Sequence, residues 1–106
     1  QAFMIKKQFL LSKPVCKATF SLPKEAVETA NEVALVGDFN DWDTLNGIEM
    51  KQLKNGTFKA TVELETCKEY QFLYLIDWKT WENDWEADKY VPTPFGVDNS
   101  VVIAMN

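Results

Sequence analysis

The strongest constraint on this chain is a hydrophobic pattern that repeats every two residues rather than every 3.6. In Cys16–Leu22, apolar side chains alternate with polar ones, which is typical of a β-strand with one face in a core and the other in water. Thr57–Leu64 repeats the alternation. Its predicted inward positions are Phe58, Ala60, Val62 and Leu64. The pattern therefore favours a chain built from strands.

Shorter apolar runs predict further strands. Tyr70–Ile76 is apolar on both alternate sets of positions, so it is predicted to be a central strand or to carry a functional outer face. Ile5–Leu11 is predicted to be an edge strand. The remaining predicted strands are Val33–Val36, Ile48–Leu53 and Asn99–Met105.

Turn residues separate these strands about every ten residues. Asn55-Gly56 favours a tight hairpin that joins Ile48–Leu53 to Thr57–Leu64. Pro23 to Glu28 is predicted to form one helical turn and nothing longer. Seven or eight short strands with this spacing predict an all-β sandwich.

The chain has 106 residues, without a repeat, a low-complexity tract or a linker, so residues 1–106 are predicted to form one domain. Gln1, Ala2 and Phe3 precede Met4 and are expected to remain from cloning. The longest apolar run is only a few residues long, so neither a transmembrane helix nor a signal-peptide core is expected. A cytoplasmic location follows as an expectation.

The charge balance and the residue types limit the chemistry. Lys and Arg number 11 against 16 Asp and Glu, which gives a net charge of −5. This balance argues against nucleic acid and anionic membrane surfaces as partners, because both are bound through basic patches. The sequence has no histidine, so Ser-His-Asp catalysis, Cys-His pairs and His-ligated metals are excluded. No cofactor and no metal are expected.

The two cysteines, Cys16 and Cys67, lie far apart in the sequence. They could pair, but without an export signal the favoured interpretation is two reduced thiols. Neither has a Cys-x-x-Cys partner or a histidine that would lower its pKa, so no redox role is assigned to them.

The four tryptophans stand in acidic, turn-like segments rather than in the alternating strands. Trp42 follows the strand Val33–Val36, and Trp78, Trp81 and Trp85 follow the central strand. Exposed indoles mark binding sites, and a flat indole suits the apolar face of a pyranose ring. The alternative is that these indoles cap the end of the sandwich, an explanation that weighs more for Trp78 and Trp85.

Enzyme-like groupings are weaker than these tryptophans. The Asp38–Asp43 segment fails the calcium-loop spacing because Trp42 occupies the third ligand position. A glycosidase pair could be drawn from the acidic residues of Glu82–Asp88, but such pairs need a deep cleft, which a small sandwich rarely encloses. No glycine-rich phosphate loop is present. A stand-alone hydrolase is therefore disfavoured.

Five motifs occur in order along the chain. They are Gly37-Asp38-Phe39-Asn40-Asp41-Trp42-Asp43, Asn55-Gly56-Thr57-Phe58, Tyr70-x-Phe72-x-Tyr74-x-x-Asp77, Trp81-x-x-Asp84, and Phe95-Gly96-x-x-Asn99-Ser100-Val101-Val102. From about Val15 to Ile103 the chain resembles the glycogen-binding, isoamylase-type early-set domains of carbohydrate-binding module family 48. This family includes the glycogen-binding domains of AMP-activated protein kinase beta subunits.

The resemblance implies an immunoglobulin-like early-set sandwich that binds α-1,4-linked glucan without cleaving it. It implies stacking of sugar on Trp42 and Trp81, a hydrogen bond from Asn99 and an apolar contact from Phe95. Leu73 stands where many members carry a basic residue that bonds sugar.

The chain also departs from the family pattern in two other places. Asp77-Trp78 replaces the usual Asp-Gly, and Val97 replaces a small or hydroxylated residue. The predicted partners are an α-glucan polysaccharide or oligosaccharide and a glycogen-metabolising enzyme. The alternative is an early-set protein-interaction module that has lost sugar binding.

Overall fold

The structure, a computed structural model, describes residues 4–105, which form ten short strands in two antiparallel sheets packed face to face. The strands are β1 (Met4–Phe9), β2 (Val15–Leu22), β3 (Val33–Gly37), β4 (Ile48–Glu49), β5 (Lys51–Gln52), β6 (Phe58–Glu65), β7 (Lys68–Ile76), β8 (Thr80–Glu82), β9 (Lys89–Pro92) and β10 (Asp98–Ala104). The predicted all-β sandwich is confirmed. The prediction about residues 1–3 lies outside the described residues.

The smaller sheet has the strand order β1-β2-β6-β5. Strand β2 pairs with β6 in a register that places Cys16 opposite Leu64 and Phe20 opposite Ala60. Of the predicted inward positions of β6, Phe58 and Leu64 are buried, and Ala60 and Val62 pack against the core while partly exposed. The alternation in the sequence thus identified the face that this sheet buries.

The larger sheet has the order β4-β3-β7-β10-β9, with β8 paired to β7. Strand β7 is central, as predicted, because it has neighbours on both edges. Phe72 and Tyr74 point from β7 into the core between the sheets. Since side chains alternate along a strand, Gln71, Leu73 and Leu75 lie on the outer face of this sheet.

One predicted strand was wrong and two strands were not predicted, so the described residues form ten strands instead of the seven or eight expected. Ile48–Leu53 is two strands, because the buried Met50 bonds to the Val33 carbonyl (2.9 Å) while the chain passes from the larger sheet to the smaller one. Strands β8 and β9 were not predicted, since neither carries an alternating apolar pattern.

The Asn55-Gly56 hairpin between β5 and β6 is confirmed, with Gly56 at a left-handed φ of 92°.

The hairpin between β7 and β8 turns at Asp77 and Trp78, which both have left-handed φ angles (50° and 62°). The Asp77 carboxylate accepts hydrogen bonds from the backbone N–H groups of Glu32 and Asn31, both at 2.8 Å. These bonds lower the pKa of Asp77. Asp77, directly after β7, therefore connects the end of that strand to the residues that directly precede β3.

Gly37 ends β3 at a point where two backbones press together. Its φ of −177° is ordinary extended backbone. However, a Cβ at this position would lie 2.4 Å from the carbonyl oxygen of Gln71 and 2.8 Å from the Cβ of Phe72. The close approach of β7, and not the φ angle of Gly37, therefore requires glycine at this position.

A buried polar cluster holds the segment after β8 against the core. Asp84 is fully buried and accepts hydrogen bonds from the Tyr74 hydroxyl (2.7 Å) and from the backbone N–H of Glu86 (2.8 Å). Its own N–H donates to the hydroxyl of Ser100 at 3.0 Å. Burial is the main cause that raises the pKa of Asp84. Asp84 faces the interior and fixes the segment between β8 and β9.

Both cysteines are free thiols, as predicted. Cys16 is buried in the core, and this burial raises the pKa of its thiol. Cys67 is exposed in the turn between β6 and β7, where its φ is 64°.

Candidate functional site

A cavity of about 590 Å³ lies on the outer face of the larger sheet. Its lining residues are Trp42, Gln71, Leu73, Trp81, Pro92, Thr93, Pro94, Phe95, Val97 and Asn99. The set includes all five residues that the sequence singled out as candidates. They come from the turn after β3, from β7, β8 and β10, and from the loop between β9 and β10.

Trp42 is positioned by a backbone turn that directly follows Gly37. Asp41 and Trp42 both have left-handed φ angles (58° and 56°), and the N–H of Trp42 donates to the Gly37 carbonyl at 3.0 Å. The indole Nε1–H donates to Asp38 at 2.9 Å. The other carboxylate oxygen of Asp38 accepts from the N–H of Gln71 at 2.7 Å. One aspartate thus holds both the indole and the strand beneath it.

Trp42 is also a packing residue. Its side chain lies against Ala34, Val36 and Leu75 on the outer face of the sheet, and it is only partly exposed. The sequence left two interpretations of Trp42, a binding surface or a cap on the sandwich. The two are compatible, because different parts of the indole take part in each. One part of it covers the sheet, and another part lines the cavity.

Trp81 and Leu73 occupy the sheet itself. Trp81 on β8 pairs with Leu75 on β7 and is 43% exposed. Leu73 pairs with Val36, is 6% exposed and lies at the cavity floor. Leu73 is thus a nearly buried apolar side chain. In the family that the sequence resembles, many members carry a basic side chain at this position.

The polar groups of the cavity are few and uncharged. The amide Nδ2 of Asn99 donates to the Oε1 of Gln71 at 3.0 Å. The Thr93 hydroxyl donates to the Val97 carbonyl (2.6 Å) and accepts from the N–H of Phe95 (3.3 Å). No Asp, Glu or Lys is among the lining residues.

Gln71 is a polar lining residue that was not among the candidates predicted from the sequence. It shares the outer face of β7 with Leu73 and Leu75, and it is the polar residue of that set. A polar side chain on the outer positions of an otherwise apolar central strand was the signal that could have identified it.

The other two tryptophans do not line this cavity. Trp78 donates through its indole N–H to Glu32 at 3.3 Å, and Trp85 donates to Glu82 at 2.8 Å. Both are exposed. Trp42 and Trp81 are therefore the two tryptophans that share the cavity.

Phe95 projects from the loop between β9 and β10 and is 88% exposed. Gly96, next to it, has a left-handed φ of 85°, and a Cβ built there would have no neighbour within 4 Å. The loop therefore presents an aromatic ring at the rim of the cavity, with open space beside it.

An aromatic and aliphatic lining with a few amide and hydroxyl groups suits an uncharged ligand that has apolar faces and hydrogen-bonding edges. Asp84, one of the acidic residues from which a glycosidase pair could be drawn, is buried and bound to the Tyr74 hydroxyl, and it does not line the cavity. Within residues 4–105, no group of three or more Cys, Asp or Glu side chains could hold a metal ion. In the same part of the chain, no helix has the length and hydropathy needed to span a membrane.

The family model described as carbohydrate-binding module 48 (isoamylase N-terminal domain) matches residues 27–92 of the chain. The match includes Trp42, Leu73 and Trp81, whereas Phe95 and Asn99 follow its last residue. A comparison with curated proteins finds no match.

Proposed function

The chain belongs to the carbohydrate-binding module 48 family, and from this membership we propose that its outer-face cavity binds α-1,4-linked glucan without cleaving it. The observation that carries the proposal is the shared cavity of Trp42 and Trp81 on one face of the larger sheet. Glycogen and starch-like oligosaccharides are the proposed ligands.

The chemistry of the cavity supports a sugar ligand. The C–H groups of a pyranose ring form an apolar face that an indole can cover, while its hydroxyls extend to the ring edge. Leu73 adds apolar surface to the cavity, and the amides of Gln71 and Asn99 supply hydrogen-bonding groups. Amide groups bind neutral hydroxyls without the desolvation cost of a buried charge.

Affinity for one short oligosaccharide is expected to be weak, about −4 to −7 kcal/mol, because a shallow platform buries little area. Binding becomes effective when one glycogen particle offers many chains, or when the module is linked to a glycogen-metabolising enzyme. The free thiols fit a reducing, cytoplasmic setting. Nucleic acid and membranes are not proposed as partners.

The proposal is tested by native gel electrophoresis in gels with and without glycogen. We expect the protein to be retarded by glycogen. Trp81→Ala should weaken binding about tenfold, since an aromatic contact at a recognition site contributes roughly 1.5 kcal/mol or more. Trp85→Ala is the matched control, because it removes another exposed indole, which lies outside the cavity.

Equal retardation of the Trp81→Ala and Trp85→Ala proteins would contradict the assigned site. Lack of retardation of the unsubstituted protein would contradict glucan binding itself. Urea unfolding of each variant excludes loss of fold as the reason for a change in mobility.

The Leu73→Lys variant tests whether a basic side chain at this position adds a contact to the sugar. The lysine stem can follow the apolar floor while its ammonium reaches the cavity, so we expect maltoheptaose to bind about fivefold more tightly, from one added hydrogen bond of about 1 kcal/mol. Isothermal titration calorimetry measures the affinity. A melting curve must accompany it, because Leu73 is nearly buried and an unpaired charge there would lower the melting temperature. A folded variant with unchanged or weaker binding would contradict a sugar subsite at Leu73.

A protein-interaction module is the second candidate function. The observation that favours it is the apolar character of the cavity, with Leu73 at the floor and Phe95 and Val97 at the rim. Exposed apolar surface also marks protein interfaces. A module of this kind would fail to bind glycogen in the gel experiment even though it is fully folded.

A further inference from the structure

The outer face of the smaller sheet carries lysines, although the net charge of the protein is −5. Side chains alternate along a strand, and the inward positions of this sheet are filled by core residues such as Phe20 and Leu64. The residues between them face solvent. They include four exposed lysines, which we call the lysine face: Lys6 on β1, Lys17 on β2, Lys51 on β5 and Lys59 on β6.

The lysine face is not neutralised by the protein itself. Within residues 4–105, the ion pairs are Lys7 with Asp88, Lys68 with Glu65, and Lys89 with Glu69. None of these three lysines belongs to the lysine face, whose four members make no ion pair in the same range. Glu63 and Glu65 are the acidic side chains at outward positions of this sheet, and Glu65 is already bound to Lys68.

Two members of the lysine face stand directly opposite each other. Lys51 on β5 pairs with Lys59 on β6, so their Cβ atoms are about 5 Å apart, and like charges in this arrangement are destabilising. Folding therefore gains nothing from this pair of charges. An anion that lies between the two ammonium groups would relieve their repulsion.

The centre of the face is polar and without aromatic rings. The hydroxyls of Thr19 and Thr61 are hydrogen-bonded to each other at 3.0 Å between the lysines. Within residues 4–105, no outward position of the smaller sheet holds an aromatic side chain. Binding of single-stranded nucleic acid uses aromatic rings on which the bases stack. The face therefore offers ammonium and hydroxyl groups to an anion that needs no stacking.

The size of the face favours a short anion over a long one. Neighbouring strands are about 4.8 Å apart, and successive outward residues are about 7 Å apart, so the four lysines span about 15 Å in each direction. An extended peptide covers this distance with about five residues. A long polyanion such as duplex DNA would continue beyond the face, onto a surface where acidic residues outnumber lysines.

From the charge, the unrelieved pair and the size of the face, we propose that the lysine face docks a short acidic segment of a partner protein. The carboxylates of such a segment bind between the ammonium groups of Lys51 and Lys59 and extend toward Lys6 and Lys17. The cavity lies on the outer face of the other sheet. Docking therefore leaves the cavity open and does not depend on the proposed glucan function.

The experiment is a fluorescence-anisotropy titration of a labelled hexaglutamate peptide with the protein. Hexaglutamine with the same label is the control peptide and should not bind. Binding of hexaglutamate should weaken about fivefold as NaCl rises from about 20 mM to about 200 mM, because salt screens exposed charges. Addition of maltoheptaose should leave the affinity unchanged, since the two faces are separate.

The double variant Lys51→Gln, Lys59→Gln should bind hexaglutamate about tenfold more weakly, because two exposed ion pairs are lost. Its melting temperature should not fall, since the repulsion between the two lysines is removed as well. The matched control is Lys13→Gln, Lys79→Gln. It makes the same change in net charge at exposed lysines in the β1–β2 and β7–β8 turns, and it should keep the affinity within about a factor of two.

The proposal is overturned if hexaglutamate does not bind, or if the two double variants weaken binding equally, since net charge alone would then be responsible. Competition by maltoheptaose would place the peptide in the cavity and would also refute it. Tighter binding of oligothymidylate or of phosphatidylserine vesicles would refute an acidic protein segment as the partner. None of these outcomes measures binding to glycogen, so the proposed function is judged separately by its own gel experiment.

Discussion

Replacing Gly37 with alanine is expected to lower the free energy of unfolding by about 3 kcal/mol, near the upper end of the usual cost of overpacking. The added Cβ would stand 2.4 Å from the Gln71 carbonyl oxygen, a backbone atom that cannot rotate away. Strand β3 and strand β7 would have to separate at the point where the turn to Trp42 begins. Urea unfolding followed by tryptophan fluorescence measures the change.

Gly96→Ala provides the comparison. At Gly96 the new methyl group meets no atom within 4 Å, but the backbone has a left-handed φ of 85°. Only conformational strain remains, and it costs about 1 kcal/mol. If Gly37→Ala were no more destabilising than Gly96→Ala, close backbone approach would not be the reason for glycine at position 37.

Replacing Asp84 with alanine is expected to destabilise the fold at neutral pH by about 3 kcal/mol, since two hydrogen bonds to a buried carboxylate are lost. The Tyr74 hydroxyl loses the acceptor at 2.7 Å and the Glu86 N–H loses the one at 2.8 Å. Glu86→Ala keeps the backbone N–H, so it is the matched control and should have little effect. A loss below 1 kcal/mol for Asp84→Ala would show that the cluster is not required for stability.

The same carboxylate has a pH dependence whose sign is fixed by its raised pKa. The unfolded chain titrates near the ordinary value of 3.8, and the folded chain titrates above it because burial disfavours the charged form. Between these two pKa values the folded state binds more protons, so the Asp84 contribution to stability rises as the pH falls. Wild type should therefore gain stability relative to Asp84→Asn when urea unfolding at pH 7 is repeated in that window. A constant difference would contradict the assignment.

The period-two pattern was sufficient for β2 and β6, because the apolar residues of each of these strands mark its core side, whereas β7 is apolar on both faces and its core side could not be read from the sequence. It failed at Met50, since local alternation carries no information about the sheet to which each half of a segment belongs. It also missed β8 and β9. These strands form through pairing with β7 and β10, and pairing between distant segments has no local signature.

The candidate site was foreseen mainly through the family resemblance. That route gave Trp42, Trp81, Asn99, Phe95 and Leu73, which the fold brings to one cavity. It did not give Gln71, whose significance comes from its contact with Asn99 across two strands. Nor could the sequence separate Asp84 from its acidic neighbours, because only packing reveals which carboxylate is buried.

The alternation along β7 has a consequence for how such a chain can evolve. Phe72 and Tyr74 belong to the core, whereas Gln71 and Leu73 between them face the cavity. Under the proposed function, selection on ligand choice would act on one set of residues, and selection on folding on the interleaved set. A lineage can exchange, weaken or lose its ligand through the outward set while the inward set is inherited intact, which separates the ancestry of the fold from the history of its binding.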